Sequence, residues 1–220
     1  MRAMTKLSFV RTHRLGAISL LLMLVAGCSA LQSSKPQPFF YALDSTGITA
    51  ATRAPTPAST TLSTLVVNPP HAASGFDSQR IIYVREKHQL EYFSHSEWVD
   101  TPARMLAPLI AAAIGNSGAF RAVVLTPSAA AGDLRLDTEI VRLQHDLRTQ
   151  PSQVRFTLRA HLVENATRRV LTWREFDTVV PAASANPYGG VVAANQAVKT
   201  VLENLSTFCA EAVRKAPMAK

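Results

Sequence analysis

The chain has 220 residues, a formal charge of +8 and only two cysteines. Its basic residues form no clustered stripe of the kind that follows a nucleic-acid backbone, so the composition excludes a nucleic-acid binder. Two cysteines cannot supply the disulfide framework of a small secreted domain, so the fold has to rest on a hydrophobic core.

The first 27 residues have the three parts of a secretory signal peptide. Four basic residues come first, an apolar stretch runs from Leu15 to Ala26, and Gly27 precedes Cys28. The stretch is shorter than the about 20 apolar residues that a membrane-spanning helix needs. Cleavage after Gly27 would leave 19 basic against 15 acidic residues, a charge of +4. That charge favours anionic surfaces only weakly.

Residues 24–28, Leu-Val-Ala-Gly-Cys, resemble the lipobox of bacterial lipoproteins. The resemblance implies a diacylglycerol on the Cys28 thiol, cleavage after Gly27 and an acyl group on the new amino terminus, with no other cofactor. Two or three acyl chains hold a protein stably at a membrane. Ser29 stands where an Asp would retain such proteins at the inner membrane, which favours the outer membrane, facing the periplasm. The alternative is an ordinary signal peptide followed by a chance cysteine.

Residues 28–38 form a predicted lipidated tether, and residues 39–214 a predicted single domain. The run Phe39–Leu43 predicts a first strand. The segment from Ser45 to Thr61, rich in Thr, Ala and Pro, predicts a long loop. Strands are expected at 62–67, 80–84 and 90–93, and the last two are predicted to form a hairpin across the turn 86–89.

Thr101 followed by Pro102 is typical of a helix start, with the threonine as the cap. An apolar stripe follows, but Pro108 lies within it and predicts a kink or an early break. Gly115 and Gly118 are stop signals.

A short strand at 121–125 and three long alternating segments at 134–143, 154–162 and 170–180 come next. Alternation predicts an antiparallel sheet with one covered and one wet face. Asn165–Arg168 is a predicted hairpin connection. The apolar stripe of segment 188–215 predicts a helix that covers the sheet. The predicted fold is α+β, a single two-layer domain in which two helices pack on a mostly antiparallel sheet.

The mature sequence contains no motif of a catalytic or metal site. His88 and His95 flank the predicted hairpin, and solvated histidines are a better interpretation than metal ligands. Asp137 and Glu139 share one strand face, but the interspersed arginines favour a salt-bridged wet face over a catalytic pair. Cys209 lies on the apolar stripe of the last helix, which predicts a buried, inert thiol. Trp98 and Trp173 could anchor a partner, although packing explains both more simply.

Three segments resemble the ABC-type transport auxiliary lipoproteins, the PqiC-like group: Arg80–Arg85, Leu90–Phe93 and Trp98–Pro102. The likeness extends to the strand Tyr41-Ala42-Leu43 and to the long closing helix, and it covers most of residues 39–214. The resemblance implies a partner protein rather than an enzyme.

Such lipoproteins accompany MCE-domain proteins and ABC-type inner-membrane components that move lipids or other hydrophobic molecules. The resemblance therefore implies an outer-membrane docking element held by its lipid anchor, and leaves a homo-oligomer open. Tyr83, Tyr92 and Trp98 are the candidate partner contacts. Two other functions remain: a lipid carrier, which predicts an apolar cavity between sheet and helices, and a structural envelope lipoprotein without a transport role.

Overall fold

The computed structural model describes residues 37–44 and 62–215. The predicted signal peptide, the predicted lipidation site Cys28, most of the predicted tether and the predicted loop Ser45–Thr61 lie outside the described residues. In the described part, nine strands form one sheet, and two helices accompany it. The predicted α+β class is confirmed. No helix in these ranges is long and apolar enough to cross a membrane.

Most elements lie where the alternation and the apolar stripes predict them. The helices are α1 (Pro102–Gly115) and α2 (Pro187–Lys215). The strands are β1 (Phe39–Tyr41), β2 (Thr64–Val67), β3 (His71–Ala72), β4 (Arg80–Val84), β5 (Glu91–Trp98), β6 (Ala122–Leu125), β7 (Leu134–Asp146), β8 (Gln153–Glu164) and β9 (Val170–Pro181).

Strand β7 lies at the centre of the sheet. Along one edge it pairs antiparallel with β8 over nearly its whole length, and β8 pairs antiparallel with β9. Along the other edge it pairs in parallel with β2, β3 and β4 in turn. Strand β6 extends the sheet from β2, while β5 and then β1 extend it from β4. The long pairings are antiparallel as predicted, and the parallel ones are short.

The two helices cover one face of the sheet, which confirms the two-layer prediction. Helix α2 packs on β8 and β9, helix α1 packs on β2 and β6, and the helices contact each other. The core-facing side chains of α2 include Val198, Val201, Leu205 and Cys209, all buried. The opposite face is wet, and there the Arg159 guanidinium bonds carboxylates on both neighbouring strands.

Helix α1 corrects two expectations. It continues through Pro108 to Gly115 instead of breaking. Pro108 cannot donate to the carbonyl of Arg104, but both residues are exposed, so water can satisfy that carbonyl. Thr101 occupies the N-cap position, yet its side chain makes no capping hydrogen bond. The Asp100 carboxylate instead accepts the Thr101 N–H at 2.7 Å.

The first turn of helix α2 packs against the carboxyl-terminal end of β7. The side chain of Asn186 accepts the Gly189 N–H at 2.8 Å and caps the helix. A Cβ atom at Gly190 would lie 2.6 Å from Nδ1 of His145. The imidazole of His145 is buried, and its Nε2 lies 3.0 Å from the hydroxyl of Ser152. Only glycine lets the helix approach this ring so closely.

We expect Gly190→Ala to lower the free energy of unfolding by about 1–3 kcal/mol, because the new methyl group displaces His145 or the helix. Urea unfolding followed by circular dichroism measures this change. The matched control is Gly115→Ala at the exposed end of α1, where a Cβ meets nothing within 4 Å. That variant should be neutral or up to about 1 kcal/mol more stable. Equal effects at both positions would contradict the packing described.

Burial lowers the pKa of His145 below its ordinary value of 6.5, against a smaller opposing influence of Asp146. Between the lowered and the ordinary pKa, the unfolded chain binds the additional proton. The free energy of unfolding should therefore fall as the pH drops from 6.5. Denaturant titrations down to about pH 5, above most carboxyl pKa values, measure this effect. His145→Gln should flatten the profile, and an unchanged slope in that variant would contradict the assignment.

Candidate docking surface

The β4–β5 hairpin carries the sequence-predicted partner contacts. Its pairing is irregular: Arg80 pairs with Glu97 and Ile82 pairs with Tyr92, so β5 bulges between these points. Strand β1 lies outside β5 and pairs with it in parallel. Among the strands that the structure describes, none pairs with the other side of β1, so β1 ends the described sheet at this edge.

Tyr83 is buried and holds the hairpin together. Its ring lies 4.5 Å from that of Phe93, and its hydroxyl donates to Glu91 at 2.9 Å. Arg85 donates to the same hydroxyl at 2.7 Å and to the Glu91 carboxylate at 2.6 Å. The pKa of Tyr83 is raised, chiefly by burial, while the bond from Arg85 lowers the pKa of Glu91. This network fixes the two strands relative to each other.

The other two predicted contacts differ in accessibility. Trp98 is the last residue of β5 and is only 3% exposed, so its indole belongs to the core. Tyr92 is 48% exposed, and the guanidinium of Arg80 lies 4.0 Å from the centre of its ring. Of the three candidates, Tyr92 alone presents a ring that a partner can reach without a rearrangement. The contact role of all three stays a prediction.

Sequence reasoning missed the exposed apolar side chains around Tyr92. Phe39 is 68% exposed, Phe40 is 60% exposed and Val99 is 55% exposed. The register places Phe40 beside Glu97, and Glu97 beside Arg80, which holds the Tyr92 ring. We call Phe39, Phe40, Tyr92 and Val99 the aromatic edge. Two adjacent phenylalanines directly after a polar segment were the signal that could have found it.

The other candidate reactive groups are accounted for by packing and pairing. Cys209 is buried as predicted, and this burial raises the pKa of its thiol to about 12. Asp137 accepts hydrogen bonds from Arg135, and Glu139 accepts one from Arg159, which confirms the predicted salt-bridged face. Within ranges 37–44 and 62–215, no three His, Cys, Asp or Glu side chains form a group that could hold a metal ion.

A further exposed aromatic residue, Trp173, lies at the opposite edge of the sheet. Trp173 on β9 is 61% exposed and stacks on His161, with the ring centres 6.2 Å apart. It faces the wet side, among arginine–carboxylate pairs such as Arg155 with Asp177 at 2.7 Å. Trp173 therefore lies on a different edge from Phe39, Phe40 and Tyr92 and is a suitable control for the aromatic edge.

A cavity of about 410 Å³ lies between β9 and the end of α2. Leu171, Phe208 and Val213 contribute apolar surface, while Arg169 and Arg174 lie among its charged lining residues. The guanidinium of Arg174 lies 4.9 Å from the centre of the Phe208 ring. The lipid-carrier hypothesis predicts a cavity at this place, between sheet and helix, although this one is lined by both apolar and charged groups.

Solved structures share this fold. A Xanthomonas campestris protein of the DUF330 family is similar with a TM-score of 0.64 and 23% identity, over 70% of this chain and 87% of its own. An uncharacterized protein is similar with a TM-score of 0.60 and 12% identity, over 79% of this chain and 99% of its own. At these identities the likeness shows the fold alone.

Sequence comparison identifies the family. No curated protein matches the chain. The sequence model of the ABC-type transport auxiliary lipoprotein component family, however, matches residues 41–206. This range includes the three segments that carry the sequence resemblance and all of the sheet except the first two residues of β1. The chain belongs to the family of ABC-type transport auxiliary lipoprotein components.

Proposed function

We propose that the protein is the outer-membrane docking element of an ABC/MCE-type envelope transport system that moves lipids or other hydrophobic molecules. Its family supports a place beside an ABC-type transporter. The partners would be an MCE-domain protein and ABC-type inner-membrane components. The protein itself would bind and position, with no catalytic role and no cofactor besides its lipid anchor.

The observation that carries this proposal is the aromatic edge. Phe40 lies on the same face of the sheet as Arg80 and Tyr92, whereas Phe39 lies on the opposite face of the same edge. Exposed apolar side chains at one edge mark a candidate interaction site, and aromatic anchors contribute much of the energy at protein interfaces. Phe39 and Phe40 lie on β1, which no other described strand covers, so a partner can approach them without displacing any strand of the described sheet. Both belong to the segment that directly follows the predicted tether.

The membrane position follows from Cys28 and Ser29 in this proposal. A lipid on Cys28 would hold the domain at the periplasmic side of the outer membrane, within reach of periplasmic partners. Ten residues separate Cys28 from Phe39, which corresponds to a span of at most about 35 Å.

Cys28→Ser should abolish the incorporation of labelled palmitate. The variant chain, whether or not its signal peptide is cleaved, should be absent from outer-membrane fractions, because no acyl chain remains to anchor it. Cell fractionation with immunoblotting measures the distribution. Ser29→Asp should move the lipidated chain to the inner membrane. An unlabelled wild-type chain would contradict lipidation, and an unmoved Ser29→Asp chain would contradict the sorting rule alone.

The partner prediction is tested by affinity purification of the lipidated protein, crosslinked in native cells, with mass spectrometry. The wild-type chain should recover an MCE-domain protein. A Phe40→Ser, Tyr92→Ala variant should recover at least tenfold less, because truncating the two aromatic anchors costs about 4 kcal/mol of binding energy, which weakens Kd by a factor of about a thousand.

Trp173→Ala is the matched control, since it removes an exposed aromatic side chain from the other edge and should leave recovery unchanged. Equal thermal midpoints show that the variants are folded. Recovery of peptidoglycan or an assembly machine instead of transport components would contradict the proposal and support a structural envelope lipoprotein.

The cavity between β9 and α2 favours a second candidate, a lipid carrier. Its volume of about 410 Å³ lies within the usual range of small-molecule sites, about 300–1,000 Å³. Organic extraction of the purified protein tests this function, because a carrier should release stoichiometric lipid.

A further inference from the structure

A second cavity, of about 390 Å³, lies between the turn of the β4–β5 hairpin and the ends of β7 and β8. We call it the basic cleft, because its lining includes four arginine or lysine side chains and one carboxylate. The four cations are Lys87, Arg142, Arg148 and Arg155, and the carboxylate is that of Asp146.

Two of its guanidinium groups are held in place by carboxylates. Arg148 donates to both oxygens of Asp146, at 2.8 and 2.5 Å, and the Asp146 residue is only 7% exposed. Arg155 donates to both oxygens of Asp177, which also accepts the Thr157 hydroxyl at 2.6 Å. The bond from Arg148 lowers the pKa of Asp146, and the bond from Arg155 lowers that of Asp177. Both carboxylates therefore stay charged and keep the two arginines oriented.

The third guanidinium has no such partner. Arg142 follows an irregularity in the β7–β8 pairing. Its guanidinium makes no hydrogen bond or ion pair with any of the residues that the structure describes, although its charge contributes to lowering the pKa of Asp177. Lys87 lies on the facing turn, next to His88, whose φ is +67°. The cleft thus has four cationic side chains, whereas among the described residues its arginines bond only two carboxylates, those of Asp146 and Asp177. Positive charge is therefore in excess.

These groups match one ligand chemistry. A phosphate group has several charged oxygens, and arginine forks bind such oxygens through paired, charge-assisted hydrogen bonds. Arginines oriented before binding lose little conformational entropy when the anion arrives. Leu90, which is 48% exposed, adds apolar surface among the lining residues. The cleft can therefore take a phosphate together with the less polar part of the molecule that carries it.

We propose that the basic cleft binds a phosphate group, supplied by a phospholipid head group or by free phosphate, with Arg142 as the central contact. The lipid source rests on the proposed function, since a lipid-transport component meets phospholipid. Phosphate binding itself depends only on the cleft.

Isothermal titration calorimetry of the full lipidated chain in a maltoside detergent tests the proposal. The probes are dihexanoyl-phosphatidylglycerol below its micelle concentration, and inorganic phosphate. We expect saturable binding that weakens with added NaCl. Arg142→Gln should weaken it about tenfold or more, because it removes charge-assisted hydrogen bonds to the anion. Arg142→Lys keeps the positive charge but loses the two-pronged guanidinium, so its affinity should lie between those of the wild type and of Arg142→Gln.

Arg168→Gln is the matched control, because it removes the same charge from the exposed β8–β9 turn and should bind like wild type. Tighter binding of the lipid than of phosphate, with loss in Arg142→Gln, supports a lipid head group. Equal binding of both probes, lost in the same variant, supports the phosphate site with free phosphate as its source. No binding to wild type, or undiminished binding to Arg142→Gln, overturns the proposal. Capture of the MCE-domain partner is measured in a separate experiment. Failure of the phosphate site and failure of the proposed docking function can therefore be told apart.

Discussion

The pairing of β7 is the constraint on which the rest of the structure depends. This 13-residue strand shares one edge with β8 and offers the other to three short parallel strands in turn. Its core-facing residues Leu134, Leu136 and Ile140 are almost completely buried. A change of register by one residue would turn these side chains to the wet face. The same shift would move His145 away from Gly190 and misplace every strand attached along the other edge.

The attachment of β4 to the end of β7 also positions both surfaces to which we assign a function. Beyond β4, the sheet continues through β5 to β1, where it ends in the aromatic edge. On the turn side, the same hairpin faces Arg142 and forms the basic cleft. The hydrogen bonds among Tyr83, Arg85 and Glu91 hold the two strands of the hairpin together between these surfaces. An apolar docking surface and a charged site can thus lie on one element without sharing side chains.

The sequence predicts those features that depend on local spacing. Alternation identifies the three long strands, and the apolar stripe identifies α2. Strands β7 and β8 and helix α2 each bury one face, while β9 at the edge of the sheet buries only Phe176. Strand β3 is too short to show a period, and the exposure of Phe40 depends on β1 ending the sheet, which is a non-local fact. Trp98 comes shortly before a helix start in the sequence, yet it is the last residue of β5 and is buried in the core, which depends on non-local packing. The basic cleft combines residues far apart in the sequence, so no motif marks it.

The central claim is that the protein meets its transport partner through the aromatic edge. In-cell photocrosslinking tests this most directly, with a photoreactive amino acid replacing Phe40 in one strain and Trp173 in another. The account predicts crosslinks to an MCE-domain protein from position 40 and none from position 173. Crosslinks to that partner from position 173 alone, or from neither position in a correctly localised chain, would contradict it.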